Sequence, residues 1–204
     1  FYVNNFGALR HLDRHDCWRC ISKLLSFCKL TDSLQVHVQP SATISVWQPW
    51  VIPSPSHGLI SNINTRLLTR SLRKLFTKFQ IHNPIIWTRL PTDLVWSVIQ
   101  GIEKKLLIYQ SIDRFPEHPR INDHLRTRYR ESERSFNLSA DLVFASARGL
   151  YDEKRKLNSK TFFIPNGVSE KFAEANCFPI ASLEALNGPI VGFAGALGTA
   201  TDNK

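Results

Sequence analysis

Five polar or charged residues and one glycine closely follow short apolar segments of this chain. They are Arg89, Asp113, Arg114, Ser146, Asn166 and Gly167. If the apolar segments form a parallel sheet, these residues gather at its carboxyl edge, where loops and helix N-termini supply unpaired N–H donors to ligands. A carboxylate beside an arginine, as at Asp113, is a natural hydrogen-bond acceptor for a sugar hydroxyl. The pattern therefore predicts one rim that binds a polar ligand.

Each of these residues also has a structural interpretation. Ser146 has the position of a helix N-cap, a role that the sequence favours over a substrate contact. Asn166 and Gly167 are typical of a turn that requires a positive φ. Arg89 fits an exposed loop residue. Binding and structural roles both stay open at the level of the sequence.

The apolar segments have the lengths of strands and alternate with helical segments. Strands are predicted at 84–88, 105–112, 141–145, 161–164 and 189–196. Helices are predicted between the first four strands, at 92–102, 121–138 and 150–157. Consecutive strands joined by a helix lie parallel, with a right-handed crossover. The predicted fold class is therefore α/β, a Rossmann-like doubly wound parallel sheet that the rest of the chain extends.

The helix predicted at 121–138 has two distinct faces. Its inner face is marked by Ile121, Leu125, Tyr129 and Phe136. Its outer face mixes arginines with Asp123, Glu131 and Glu133. Such a mixture is typical of a solvated surface, so these charges are predicted to face water.

The chain outside this region is expected to complete the domain. Residues 1–4 are predicted to form a strand, and 34–55 an edge strand followed by an extended loop, because four prolines interrupt that stretch. Residues 170–186 are predicted to form a helix or hinge segment, capped by Ser169. Residues 1–186 are then one domain that lacks its first strand, and 187–204 begin a second. The chain contains no methionine, which indicates a piece of a longer protein.

Charge and cysteine content narrow the classes of partner and compartment. The formal net charge of +9 favours an anionic partner. Four unevenly spaced cysteines do not suit a secreted disulfide framework, which favours a reducing cytoplasm. No apolar run approaches the ~18 residues of a membrane-spanning helix. His11, His15, Cys17 and Cys20 match no common metal-ligand spacing, so a helix with buried thiols is preferred to a zinc or redox site.

A strongly basic helix is predicted at 64–79. Its apolar side is formed by Leu67, Leu68, Leu72, Leu75, Phe76 and Phe79, and its basic side by Arg66, Arg70, Arg73, Lys74 and Lys78. No acidic residue lies between them. The apolar side is expected to cover a sheet, and the basic side to bind an anionic membrane surface, which would place the protein at the inner face of the membrane.

Three motifs in order carry a resemblance to a known family. They are ADLVFAS at 140–146, IPNGV at 164–168 and PIVGFAGAL at 189–197. Together they resemble the N-terminal domain of a family 4 type glycosyltransferase of the GT-B fold, the group that builds surface polysaccharides. The resemblance extends from about residue 84 to residue 197.

This resemblance implies a specific activity. In that family the first domain holds a glycan or lipid-linked acceptor, the second holds a nucleotide-sugar donor, and transfer with retention occurs between them without a cofactor or bound metal. Asp113 is similar to an acceptor-side residue of the family, and Gly195 to the small residue of the loop near the donor phosphates. Gln110 and Arg114 stand where further acids are common. The fragment alone is expected to be inactive, and its catalytic residues are not assigned.

Two other classes of function are compatible with parts of the sequence. Gly192, Gly195 and Gly198 have the spacing of a dinucleotide fingerprint, which would indicate an NAD(P)-dependent reductase beginning near residue 189. The basic charge suits a nucleic-acid-binding module. Its basic residues are spread over several helices without a recognised motif, so no nucleic-acid partner is expected.

Overall fold

The computed structural model describes residues 2–3, 34–39, 42–47, 49, 51–52, 58–118, 121–170 and 188–189. The chain divides into two compact units, Phe1–Pro84 with Asp93–Lys105, and Ile85–Thr92 with Leu106–Lys204. The segment predicted at 170–186 and the strand predicted at 189–196 lie outside the described residues except for their first residues. The cysteines considered as metal or redox residues also lie outside them. The predicted domain boundary near residue 187 therefore stays a prediction.

The first unit contains a small mixed sheet. Its strands are β1 (Tyr2–Val3), β2 (Leu34–Gln39) and β3 (Ala42–Trp47), in the order β1-β3-β2. β2 and β3 pair antiparallel, whereas β1 pairs parallel with β3. The prediction that the whole chain extends one parallel sheet is wrong. The two residues between β2 and β3 are enough only to reverse the chain, and a parallel neighbour needs a connection of about a dozen residues.

Two helices complete the described part of this unit. They are α1 (Leu59–Lys78) and α2 (Asp93–Gln100). Leu68 and Leu72 of α1 are buried, as are Val98 and Ile99 of α2. Full burial of such side chains contributes about 1.5–3 kcal/mol each, which favours the packing of these amphipathic helices.

The start and the inner face of α1 differ from the prediction. The helix begins five residues earlier than predicted, and Asn64 is a buried residue within it rather than its first residue. The Asn64 side chain accepts a hydrogen bond from Ile52 N and donates one to Ile52 O, each at 2.9 Å. Leu67 and Phe79 are exposed, so their assignment to the inner face is wrong. Leu67 lies one residue, or about 100°, away from buried Leu68 and therefore points outward.

The second unit is built on a four-stranded parallel sheet. Its strands are β4 (Ile85–Thr88), β5 (Leu106–Ser111), β6 (Leu142–Ala145) and β7 (Thr161–Phe163). Every neighbouring pair is parallel, and the strands follow one another in chain order. An α/β, Rossmann-like parallel sheet is thereby confirmed. The reversal of strand order that defines a doubly wound sheet does not occur among these four strands.

The helices of the second unit pack on one face of its sheet. They are α3 (Asp123–Ser139), between β5 and β6, and α4 (Arg148–Lys154), between β6 and β7. Tyr109 of β5 stacks on Phe136 of α3 with ring centroids 5.5 Å apart. On the same face, Phe163 of β7 contacts Tyr151 of α4. α3 begins after Asn122, whose side chain accepts a hydrogen bond from Leu125 N and so satisfies a donor of the first turn.

The opposite face of this sheet carries an exposed aromatic row. Trp87 is 58% exposed and Phe162 is 50% exposed, with Phe144 between them. The Trp87 and Phe144 rings meet edge to face at 5.3 Å, and the Trp87 indole N–H donates to Gln110 Oε1 at 3.0 Å. Successive side chains of a strand point to opposite faces, so this row alternates with the buried residues that contact α3 and α4. One face of the described sheet is therefore packed by helices, and the other exposes aromatic side chains on its outer strands.

No helix in the described part of the chain combines the length and apolar character needed to cross a membrane.

Candidate functional site

The carboxyl ends of β4 to β7 lie along one edge of the sheet, because all four strands are parallel. All six predicted site residues follow these ends within four positions: Arg89 after β4, Asp113 and Arg114 after β5, Ser146 after β6, and Asn166 and Gly167 after β7. Ser146 is half-buried and the other five residues are exposed. The topology thus brings the predicted rim to one edge, which is where open α/β sheets bind ligands.

Ser146 has a structural role that differs from the predicted helix cap. α4 begins at Arg148 with Ala147 at its N-cap, so Ser146 lies one position too early to cap this helix. Its hydroxyl donates to Ile112 O at 2.9 Å, and its backbone N–H donates to Ser111 O at 3.1 Å. Ser146 therefore ties the end of β6 to the segment that follows β5 and positions the neighbouring rim residues.

The turn predicted at Asn166 and Gly167 does not form. Both residues are described, and neither adopts a positive φ. Residues 164–169 form no hydrogen-bonded turn, so no left-handed residue is needed there. A Cβ placed on Gly167 would meet no atom within 4 Å, so there is also space for a side chain at this position. These two residues remain available as exposed polar backbone at the end of β7.

Beside the rim, a cavity of about 340 Å³ lies between the segment after β5, α3 and α4. It is lined by Arg114, Pro116, Glu117, Arg130, Glu133, Glu153 and Lys154. Six of these seven side chains are ionisable, and they form three cation–carboxylate pairs. The cavity wall is therefore strongly polar, yet its charges balance.

Two of the pairs lie at the exposed mouth of the cavity. Arg114 Nε donates to Glu153 Oε1 at 3.0 Å, and Arg130 Nη2 donates to Glu117 Oε1 at 2.6 Å. The hydrogen bond that Arg114 donates to Glu153 raises the pKa of Arg114, and the hydrogen bond that Glu117 accepts from Arg130 lowers the pKa of Glu117. Exposed pairs of this kind are screened by solvent, so they orient the side chains rather than stabilise the fold.

The third pair lies in the interior. Lys154 Nζ is 2.9 Å from Glu133 Oε1, and the Tyr109 hydroxyl donates to the same oxygen at 2.9 Å. All three residues are buried. Burial, and then the negative charge of Glu133, raises the pKa of Tyr109 above its usual range, so Tyr109 remains a protonated donor. Glu133 and Lys154 of this triad line the cavity, and the triad joins β5, α3 and α4.

The prediction that Glu133 faces solvent is wrong. Glu133 lies on the face of α3 that packs on the sheet, where Lys154 and Tyr109 supply a counter-charge and a donor. The sequence does contain a signal for this arrangement: Tyr129, Glu133 and Phe136 follow the i, i+4, i+7 spacing of one helix face. A charge within an apolar stripe indicates a buried partner, because an unpaired charge is rarely buried.

Five of the charged cavity residues were not predicted as site residues. Of the predicted set, only Arg114 lines the cavity. Its side chain passes α4 at Gly149, where a Cβ would lie 3.2 Å from Arg114 Nη2. A small residue at this position lets the guanidinium reach Glu153, a long-range contact that spacing along the chain does not reveal.

The remaining predicted features lie elsewhere. Gly195, with Gly192 and Gly198 of the alternative dinucleotide fingerprint, lies outside the described residues. Within the described part of the chain, no cluster of three or more His, Cys, Asp or Glu side chains is arranged to hold a metal ion. The candidate site of the described residues is therefore the polar cavity and the adjoining rim.

No protein-family model matches this chain, and no curated protein matches it.

Proposed function

We propose that this chain binds a saccharide acceptor as the acceptor-side domain of a GT-B glycosyltransferase of the family 4 type, at the cytoplasmic face of a membrane. The observation that carries the proposal is the charge-balanced polar cavity beside the carboxyl edge of a parallel sheet. The order of the three motifs that resemble this family supports the same activity.

The chemistry of the cavity suits a neutral polyhydroxylated ligand. Carboxylates accept hydrogen bonds from hydroxyl groups, and guanidinium and ammonium groups donate to them. Each cation in the wall already has a carboxylate partner, so a phosphate would have to compete with that partner and would face carboxylate repulsion. A saccharide hydroxyl, which both donates and accepts, adds to such pairs without changing their charge.

The rim offers contacts to a longer acceptor. Arg89, Asp113 and Asn166 are exposed at the edge that also adjoins the cavity. In this proposal they orient an acceptor whose terminal sugar occupies the cavity. The acceptor hydroxyl oxygen bonds to the anomeric carbon of the donor as the bond from that carbon to the nucleoside diphosphate breaks, and the hydroxyl proton leaves with the diphosphate. The donor phosphates are assigned to the loop at Gly195 in a second domain, and the parallel sheet belongs to a doubly wound sheet of the whole protein.

The test is saturation-transfer-difference NMR on the whole chain. Neutral oligosaccharides should give transfer signals, whereas nucleotide sugars at the same concentration should give signals only if the donor loop is functional. The matched variants are Glu117→Gln and Glu153→Gln, which remove one carboxylate each from the cavity mouth. Asp123→Asn is the control, because Asp123 is exposed and paired with Arg126 but does not line the cavity.

We expect each cavity variant to weaken oligosaccharide binding about five- to tenfold, as for the loss of one hydrogen bond of about 1–1.4 kcal/mol, with little change in Asp123→Asn. Oligosaccharide binding that is equal in all four proteins, or absent from wild type, would reject the cavity as an acceptor site. A reductase would instead be indicated by binding of NADPH without binding of saccharides.

A further inference from the structure

The outward face of α1 carries exposed apolar side chains where a solvated helix would be polar. Leu59 is 81% exposed, Ile63 is 44% exposed and Leu67 is 48% exposed. They recur every four residues and therefore form one stripe along the helix. This stripe lies away from the inner face, where Leu68 and Leu72 are buried.

Basic residues form a second row next to this apolar stripe. Arg66, Arg70 and Lys74 also recur every four residues and are exposed, and the i+3 spacing of Arg66 from Ile63 and of Arg70 from Leu67 places the two rows side by side. The 20 residues of α1 include five arginines and lysines but no aspartate or glutamate. Arg73, beside this stripe, is held by a 2.6 Å hydrogen bond to Gly101 O, which fixes this part of the helix to the end of α2.

We infer that the outward face of α1 binds an anionic lipid bilayer, with the helix lying in the plane of the surface. Leu59, Ile63 and Leu67 would enter the boundary between head groups and acyl chains, while the basic residues would contact lipid phosphates. The absence of acidic side chains in α1 makes this face complementary to a negatively charged surface. A helix of 20 residues spans about 30 Å, which offers several head groups to its cations at once.

The apolar residues distinguish a lipid from a nucleic acid. Nucleic-acid phosphates would satisfy Arg66, Arg70 and Lys74, but they would leave the isoleucine and leucine side chains in water. A bilayer satisfies both sets, since its surface is anionic and its interior is apolar. The inference does not depend on saccharide binding, because none of these residues lines the cavity.

The test is co-sedimentation of the whole chain with vesicles of phosphatidylcholine alone and of phosphatidylcholine mixed with phosphatidylglycerol. Two variants separate the contributions: Ile63→Asn with Leu67→Asn removes apolar contacts, and Arg66→Gln with Arg70→Gln and Lys74→Gln removes charge. The matched control replaces three exposed lysines elsewhere with glutamine, Lys105, Lys156 and Lys160, and so has the same net charge as the basic variant. Circular dichroism melts verify that all variants are folded.

We expect wild type to bind the anionic vesicles and not the neutral ones. The basic variant should bind on the order of a hundredfold more weakly, since each basic residue near such a surface raises the affinity about fivefold. The apolar variant should bind about tenfold more weakly, and the lysine control should retain most of the wild-type binding. The cavity variant Glu117→Gln should bind vesicles like wild type, which keeps this result separate from the saccharide assay.

Two outcomes would overturn the inference. Equal binding to neutral and anionic vesicles would remove the role of the basic residues. If the apolar variant bound anionic vesicles as well as wild type, while the basic variant lost binding to both vesicles and duplex RNA, the face would be a polyanion site and not a lipid-binding helix.

Discussion

Glu133 connects three elements through a single carboxylate. It belongs to α3, accepts a hydrogen bond from Tyr109 of β5 and pairs with Lys154 of α4. Removing one partner of a buried pair leaves an uncompensated charge, which costs far more than the net contribution of the intact pair. A single substitution in this triad should therefore reduce the stability of the second unit more than a substitution elsewhere in that unit.

Lys154→Met should reduce the free energy of unfolding by about 3–5 kcal/mol, because it leaves Glu133 buried without a counter-charge. The measurement is urea denaturation at neutral pH. Lys156→Met is the matched control, since Lys156 is exposed on the same stretch of chain, and its effect should stay within ~0.5 kcal/mol. Adding Glu133→Gln to Lys154→Met should recover part of the loss; equal stability of the two lysine variants would contradict the assignment.

The burial of Tyr109 leads to a prediction of how the free energy of unfolding changes at alkaline pH. Its pKa in the folded protein is raised by burial and by Glu133, so the folded state keeps this proton when the unfolded chain loses it at pH ~10. This stabilisation is fully present below pH ~10 and declines at higher pH, by up to about 1.4 kcal/mol per pH unit.

The measurement is denaturation of wild type and Tyr109→Phe between pH 9 and pH 11, where the difference between the two isolates Tyr109 from other titrating groups. Wild type should lose more stability over this range than the variant. Parallel pH profiles would show that Tyr109 ionises equally in both states.

At the scale of elements, α1 and α2 approach closely at one glycine. A Cβ on Gly101, just after α2, would lie 3.0 Å from Thr69 Cγ2 and 3.3 Å from Thr69 Oγ1. Thr69 is β-branched and lies within α1, so its side chain has little freedom to move away. The absence of a side chain at Gly101 is thus a condition of this helix contact.

Gly101→Ala should destabilise the protein by about 1–3 kcal/mol through overpacking, which outweighs the 0.4–1 kcal/mol that alanine gains by restricting the unfolded chain. Thermal and urea denaturation provide the measurement. In a Thr69→Ala background the same substitution should become nearly neutral or stabilising. Gly167→Ala serves as the control, because its Cβ would meet no neighbour. If Gly101→Ala destabilised the protein equally in the Thr69→Ala background, contact with Thr69 would not be the cause of the loss.

On the scale of the molecule, the order of the parallel sheet determines which backbone groups are protected. β5 and β6 each pair on both sides, whereas β4 and β7 each pair on one side among the described strands. Ile85 and Trp87 of β4 are also exposed. Local opening should therefore require less free energy at the outer strands than at the inner ones.

Hydrogen exchange followed by mass spectrometry should show slower exchange at 106–111 and 142–145 than at 85–88 and 161–163. The difference should be lost in Lys154→Met if the buried triad holds α3 and α4 on the sheet. Equal protection of β4 and β5 in wild type would indicate a further partner for the outer strand.

The described strands of the parallel sheet were predictable to within one or two residues at either end, because short apolar segments between helical segments leave few other interpretations. The hairpin of β2 and β3 was missed, since Pro40 was interpreted as the end of an edge strand and not as part of a two-residue connection. At the candidate site, Arg114 was predictable because it closely follows the carboxyl end of a strand. The partners Glu153 and Lys154 depend on how α4 packs, which local spacing does not encode.

The amino-acid sequence by itself determined the parallel α/β sheet, the edge where its polar residues gather and the basic character of α1. Those features follow from periodicity and chain connection, which act over a few neighbouring residues. Only the tertiary structure decided that Glu133 is buried, that three ion pairs enclose a neutral cavity, and that Leu67 faces outward beside arginines. Each of these depends on which helix face packs against its neighbours, and that choice is made by the total burial and charge pairing of elements distant in the chain.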